Sequence, residues 1–256
     1  MSKITVVIIT LNEEKNIGRC IDSVKDIADE ILVIDSYSTD RTEEICKTKG
    51  ARFVRHPFKD YLSQHVYADE IAKYDHILTL DADESLSEEL LQSVLSLKSN
   101  LENDGYIMNR ITNYCGKWIR HSGWYPDRKL RLYNKRKGKW TGKFVHEKFQ
   151  LNAGATVGKL KGNIFHYSYY TIDEHILQAN KFSTLGAKAL LEKNKRVHFY
   201  KLIINPVVKF IRNYFLKLGF LDGFYGFIIC QITANETFLK YLKAYNHQLS
   251  ERKKNF

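Results

Sequence analysis

The chain has 256 residues, of which 44% are apolar and only three are proline. That composition excludes a disordered or collagen-like protein and suits one large α/β domain, or a domain with an appendage. Its net charge of +11 is unevenly placed: residues 1–128 hold 16 Lys+Arg against 22 Asp+Glu, and residues 129–256 hold 24 against 7, so an acidic front and a basic back suggest two jobs in one chain.

The predicted elements begin at once. Met1 leads through two residues into the β-branched run Ile4–Thr10, a strand of the kind buried on both faces, and no signal peptide is expected there. Ile17, Ile21, Val24 and Ala28 fall at helical spacing, and Ile31–Ile34 reads as a second buried strand. Thr42–Thr48 reads as a short helix, Ala51–Arg55 as a third strand and Ser63–Lys73 as a helix. His76–Leu80 is a fourth strand and Ser87–Leu97 a further helix. Such alternation implies a mainly parallel sheet with right-handed crossovers and helices on both faces. After Asp104 it stops. Gly105–Tyr114, Lys129–Asn134 and Asn163–Tyr170 read as strands, and Trp140–Phe149 carries Val145-His146-Glu147. From Ile172 the pattern is helical. The spans expected are 1–104, 105–170 and 171–256. The cysteines Cys20, Cys46, Cys115 and Cys230 form no C-x-x-C pair, so free thiols in a reducing compartment are expected.

In a sheet of this class ligands bind beyond the carboxyl ends of the strands. Strand one ends at Asn12-Glu13, strand two at Asp35-Ser36 and strand four at Asp81-Ala82-Asp83-Glu84. Carboxylates gathered on one edge repel unless a cation or donor groups sit among them. The simpler alternative is that these residues cap the following helices, which suits Asn12 and Ser85–Ser87. Asp81-Ala82-Asp83 after Ile77-Leu78-Thr79-Leu80 can hold Mg²⁺ or Mn²⁺ in an oxygen site, with substrate phosphates completing it. The metal then neutralises charge on a departing diphosphate.

The segments Val6–Glu14, Val33–Thr42 and Leu80–Glu84 together resemble the family 2 glycosyltransferases of GT-A fold, in motif, order and spacing. Gly123-Trp124-Tyr125-Pro126-Asp127, Arg131-Leu132-Tyr133 and Val145-His146-Glu147 resemble a narrower branch that adds a β-linked hexose or heptose to the lipopolysaccharide core. The resemblance implies that Thr10, Asn12 and Glu13 lie around the nucleoside and that Asp35 bonds the base edge. It also implies that Asp81 sits near ribose and sugar and that Asp83 ligates the metal. Gln64 fits a further element of many relatives, whereas His65 and Val66 depart from it. A nucleoside diphosphate sugar is the implied donor, uridine being the family's commonest base.

An inverting displacement needs a base facing the acceptor hydroxyl. Glu147 is the first candidate, with an ion pair to Lys143 or Lys148 as the alternative, and Asp127 is the second. His146 is a candidate metal or phosphate ligand, or a structural hydrogen-bonder. Arg128 and Arg131 suit diphosphate oxygens or simple solvation. Trp118, Trp124 and Trp140 suit sugar stacking or core packing. In the basic half, Lys201, Lys209, Arg212 and Lys217 are interleaved with large apolar residues, and the uncharged stretch Gly223–Asn235 is only 13 residues long. A membrane-spanning helix wants about 18 or more. Membrane-surface helices are therefore expected, with packing on the domain or a partner subunit as the alternative, and Pro206 should start or kink one of them.

The expectation is thus an inverting transferase acting on a lipopolysaccharide-core or lipid-linked glycan, cytoplasmic and peripheral at the inner face of the cell membrane. Two alternatives compete with it: a nucleotidyltransferase, and a non-catalytic nucleic-acid binder. Nucleic acid is not an expected partner, because the basic residues are spaced among aliphatics rather than collected in a tract.

Overall fold

A computed structural model describes residues 2–142, 147–193 and 196–254. In chain order the elements are β1 (Ile4–Thr10), α1 (Ile17–Asp22), β2 (Glu30–Asp35), α2 (Thr42–Thr48), β3 (Arg52–Arg55), α3 (Tyr61–Ile71), β4 (His76–Asp81), β5 (Glu84–Leu86) and α4 (Glu88–Leu97). There follow β6 (Gly105–Tyr114), β7 (Lys117–Ile119), β8 (Asp127–Asn134), β9 (Gly138–Thr141), β10 (Lys148–Leu151) and β11 (Val157–Tyr169). The chain ends in α5 (Ile172–Glu192), α6 (Tyr200–Ile211) and α7 (Gly223–Lys254). It divides into two compact units: Met1–Ile111 with Asp127–Tyr167, and Thr112–Pro126 with Ser168–Phe256.

The main sheet of the first unit runs β3-β2-β1-β4-β8-β6-β11-β5. The first four strands pair in parallel. The pairs β4–β8, β8–β6 and β11–β5 are antiparallel. The α/β class holds, but the sheet is mixed where a mainly parallel one was expected. β1 to β4 are joined by the helices α1, α2 and α3, as parallel neighbours require. Beyond them the antiparallel pairs β4–β8 and β11–β5 bring together strands distant in sequence.

Helices cover both faces of the sheet. Val6 and Ile8 of β1 face a core shared with Ile17 and Ile21 of α1 and Leu90 and Val94 of α4. Val7 and Ile9 face a second core with Ala68 of α3, Tyr133 and Phe149. α3 begins two residues before the expected Ser63 because Asp60 caps it, its carboxylate accepting from the Ser63 amide at 2.7 Å. α1 is shorter than its spacing suggested. Val24 and Ile27 are buried, but from successive turns rather than a continuing helix.

In the second unit, β7 pairs with the end of β6 at Thr112–Tyr114. α5 starts at a capping box between Thr171 and Glu174. α6 contains Pro206 in its interior, so the proline does not start the helix, and a π-helical turn at Arg212–Leu216 follows. Leu218 then takes a left-handed φ of +53°, and a 3₁₀ turn at Gly219–Asp222 leads into α7. Asp222 is buried and pins this corner: its carboxylate accepts from the amides of Arg120 and His121 at 3.1 and 2.8 Å. Among the described residues no single helix is long and apolar enough to cross a membrane. Tyr200–Leu216 and Gly219–Glu251 pass that test only together, bent by 71°.

Candidate active site

The parallel register sets Thr10 beside Asp35 and Ile9 beside Asp81, so β2, β1 and β4 end on one edge of the sheet. Three acidic endings meet there, and the fold places donors among them. Glu84 is fully buried, and its Oε1 accepts from Arg110 Nη1 at 3.0 Å and from Arg131 Nη2 at 2.8 Å. Its Oε2 accepts from the Asp81 amide at 3.0 Å. Arg131 Nη2 also reaches Asp81 Oδ2 at 3.1 Å. Arg110 carries on to Asp127, donating Nε and Nη2 to Oδ2 at 3.0 and 2.7 Å. Burial opposes charge on Asp81, but Arg131 and Arg110 outweigh it and hold this carboxyl well below the ordinary range. Burial likewise works against charge on Arg131, and Glu84 and Asp81 push its pKa up.

On the nucleotide side the sequence candidates divide. Thr10 is buried and its hydroxyl has no hydrogen-bond partner among the described residues. Asn12 is exposed with φ +54°, and its Oδ1 accepts from the Thr39 amide at 2.8 Å. The Glu13 carboxylate accepts from Asn16 Nδ2 at 2.7 Å, and its pKa is raised by burial and then by Asp83, Asp40 and Asp81, against that hydrogen bond. Asp35 is fully buried, with its oxygens taken by the Ser38 amide and hydroxyl. It holds the 36–39 turn, and Ser38 in turn accepts from the Asn12 amide at 2.8 Å. The Gln64 amide group is spent on His56 and Pro57. Ala82 is buried and its amide donates to Ile9.

Asp83 meets a residue that spacing did not suggest. Its Oδ2 lies 3.1 Å from His166 Nε2, and both side chains are partly exposed. Two ligands about 2.1 Å from one octahedral ion, at right angles, stand about 3 Å apart. At that distance the two side chains are in hydrogen-bond contact with each other, and the same two residue types could hold a divalent cation. No group of three His, Cys, Asp or Glu converges on a ready-made cluster among the described residues. His146, the expected second ligand, lies outside the described residues.

Of the two candidate bases, Asp127 is committed. Burial would raise its pKa, but Arg110 and Lys129 hold it below the ordinary range. Glu147 Oε1 is buried without a hydrogen-bond partner among the described residues. Glu147 shares a neighbourhood with Asp81 and Asp83: after burial, these three carboxylates push up the pKa of the Tyr61 phenol. Arg128 is exposed on β8, with no ion pair among the described residues, whereas Arg131 is buried in the carboxylate cluster. Trp140 is packed rather than free. It stacks on His65 at 3.8 Å, and its Nε1 donates to Asp69 Oδ2 at 3.0 Å. Trp124 packs among Tyr114, Tyr169 and His175 of the second unit.

The model of glycosyl transferase family 2 matches residues 5–158, which include the residues of this edge named above except His166. The chain belongs to that family. It is 32% identical over 262 residues to an uncharacterized glycosyltransferase of Rickettsia typhi, covering 98% of this chain and 90% of that one. It is 34% identical over 256 residues to the lipopolysaccharide core biosynthesis glycosyltransferase LpsC of Rhizobium meliloti, covering 96% and 93%. Among solved structures it resembles glucosyl-3-phosphoglycerate synthase of Mycobacterium tuberculosis, at 24% identity over 44% of each chain and a TM-score of 0.36, a likeness too distant to speak to chemistry. As a family 2 glycosyltransferase of GT-A fold the chain is an enzyme, and the nucleotidyltransferase and nucleic-acid-binding alternatives fall away.

The glycosyltransferase site uses residues that sequence reasoning missed. His166 faces Glu84 across the β11–β5 pairing, and β5 is only three residues long, too short to leave a periodic signal. Arg110 was visible only as one polar position of an alternating strand. Its role depends on the β6–β8 register, which sets it opposite Asp127.

Proposed function

We propose that this glycosyltransferase moves a hexose or heptose, with inversion, from a nucleoside diphosphate sugar to a lipopolysaccharide-core or lipid-linked glycan at the inner face of the cell membrane. The observation that carries the reading is the sheet edge itself. Asp83 beside His166, Asp81 at the carboxyl end of β4, and Glu147, whose Oε1 has no hydrogen-bond partner among the described residues, share one neighbourhood around Tyr61. The likeness to LpsC supports the acceptor class, and the family's usual donors support a uridine nucleotide.

In this reading Asp83 and His166 hold a Mg²⁺ or Mn²⁺ ion, which when bound offsets negative charge on the leaving diphosphate. Thr10, Asn12 and Glu13 line the nucleoside. Arg110 and Arg131 keep Asp81 and Asp127 ionised and, with Glu84, fixed in place, so that the site needs no rearrangement as charge shifts. Arg128 is free to meet a phosphate oxygen. Glu147 accepts the proton of the acceptor hydroxyl as that oxygen bonds to the anomeric carbon. The bond from that carbon to the diphosphate oxygen breaks on the opposite face, which inverts the centre.

A thermal-shift series of nucleoside diphosphates with Mn²⁺ tests the donor side. Ligand at a hundred times its dissociation constant should add about 2.7 kcal/mol of stability. Asp83→Asn should abolish the Mn²⁺-dependent part of that shift while melting like the parent without ligand. No stabilisation by any nucleoside diphosphate in the parent would sink the reading.

A further inference from the structure

α6 carries apolar residues on its exposed face as well as its covered one. Ile203, Ile204, Val207, Val208, Ile211 and, one turn on, Phe215 recur at three- and four-residue spacing and form one stripe. In an ordinary soluble protein such a stripe faces the core. Here every member is exposed, from 46% at Ile211 to 57% at Ile203. The covered face holds Leu202, buried against Ala187, Val197 and Ala244, and Phe210 and Tyr214, whose rings meet Phe227 of α7 edge-on at 5.9 Å, together with the polar residues Asn205, Lys209 and Asn213. Asn213 is itself buried. A helix that packs one face on its neighbours and still carries a continuous stripe of branched aliphatics on the other is matched to an apolar medium outside.

The charges around the stripe say which medium. From Phe199 to Asn235 the only acidic residue is Asp222, and its carboxylate is buried on the amides of Arg120 and His121. Arg212 and Lys217 are exposed beside the stripe, with Lys201 and Lys209 partly so. Glu236 of α7 offsets the half-buried Lys209, whereas Arg212 and Lys217 form no ion pair among the described residues, so the exposed part of the rim is cationic. A second copy meeting this face through its own would gather like charges at the seam. A bilayer with anionic head groups supplies both an apolar interior and the missing counter-charge. With one face covered and a 71° bend at Leu218, the segment suits lying in the interface rather than spanning it.

We infer that the outward stripe of α6 and its π-helical turn is the surface by which this chain docks on an anionic lipid bilayer, with the aliphatic side chains in the acyl region and Arg212 and Lys217 at the head groups. The inference deepens the reading of a membrane-face enzyme and rests on it, adding which residues make the contact.

The test is co-sedimentation of the full chain with vesicles of phosphatidylglycerol and phosphatidylethanolamine, and with neutral phosphatidylcholine vesicles. The triple variant Ile204→Gln, Val208→Gln, Ile211→Gln should lower partitioning onto the anionic vesicles by roughly two orders of magnitude. Its melting temperature should stay close to the parent's, because all three sites are exposed. The double variant Ile176→Gln, Leu177→Gln removes comparably exposed apolar residues from α5 and should partition like the parent. If the triple variant sediments as the parent does, the stripe is not the docking surface, although the membrane reading survives. If the parent sediments with no vesicle, both fail. If it is a dimer that the triple variant dissociates, a second copy covers the stripe and the inference is overturned.

Discussion

The two units depart from ordinary burial in opposite senses. In the first unit charge is inside: Glu84 is fully buried and Arg131 is 8% exposed, and each is ion-paired. In the second unit apolar surface is outside, along α6. Neither arrangement is one that stability alone favours. An ion taken from water costs several kcal/mol before its partners offset it, and apolar area left in water forgoes about 25 cal/mol per Å². The contrast locates function twice over. Where charge is held in a dry place, something charged is handled there. Where apolar surface is held out to water lies the stripe proposed to dock on a bilayer.

The largest effect should come from Glu147, whose Oε1 has no hydrogen-bond partner among the described residues. Glu147→Gln should slow the chemical step by roughly 10²–10⁴-fold, the range for a positioned base, with nucleotide affinity nearly unchanged in single-turnover assays. Asp127→Asn is the contrast. It loosens Arg110 but leaves Glu147 in place, so it should cost less in rate and more in stability. A dead Asp127→Asn enzyme beside an active Glu147→Gln one would transfer the role of base to Asp127.

Next in size is the buried cluster. Glu84→Ala leaves Arg110 and Arg131 facing each other with their shared acceptor gone, and should destabilise the fold by about 3–5 kcal/mol in urea titration. The cluster also fixes an acid limb. Asp81 has a folded pKa below its ordinary 3.8, so its stabilisation is complete above that value and is lost as pH falls beneath it. If Glu84→Ala were as stable as the parent, the guanidinium groups would be solvated and the contrast between the units would weaken.

Much of this was legible in the chain. The run Ile4–Thr10, the alternation up to Leu97 and the acidic strand ends follow from local pattern, because parallel strands buried on two faces leave dense apolar signals. Asp83 and Glu147 could be nominated from motif and position. What was hidden depends on pairing between distant segments. His166 reaches Asp83 only through the β11–β5 register, and Arg110 reaches Asp127 only through that of β6 and β8. The roles of Asp35 and Gln64 in holding local turns were equally hidden, because those hydrogen bonds are set by side-chain geometry and not by residue type. The second unit was legible in composition alone. That α6 turns an apolar stripe outward depends on what α5 and α7 cover.

A smaller effect should appear at Asp69 in the first unit. Burial lifts its carboxyl to about 6, against hydrogen bonds from Tyr133 and Trp140 and the charge of Lys135. A raised folded pKa means that the native state holds the extra proton, so this group's contribution falls as pH rises from about 4 to about 6. Two pKa units correspond to roughly 2–3 kcal/mol. His65 and His175, each pushed down to about 4 chiefly by burial, slope the other way over much of that range. The readout is therefore the difference between parent and Asp69→Asn in urea melts across the window: the difference should change steadily with pH in the parent's disfavour. A pH-independent difference would place Asp69 in water and remove it from the list of charges held inside.

The smallest effect is the sharpest test of the second unit. Ile204→Gln and Leu202→Gln make the same chemical change two positions apart on α6, but Ile204 is 51% exposed and Leu202 is 5% exposed. In vesicle-free buffer Ile204→Gln should shift stability by no more than about 0.5 kcal/mol, as surface substitutions do. Leu202→Gln strands an amide among Ala187, Val197 and Ala244 and should cost about 2–4 kcal/mol. Both are read from urea midpoints at unchanged slope. The ratio matters more than either value. If Ile204→Gln cost as much as Leu202→Gln, the outward stripe would be covered by protein in solution, and the helix would be an ordinary core helix of a larger assembly. If Ile204→Gln is near neutral while Leu202→Gln is costly, the fold is indifferent to the outer face, and the pattern of branched aliphatics there answers to something other than folding.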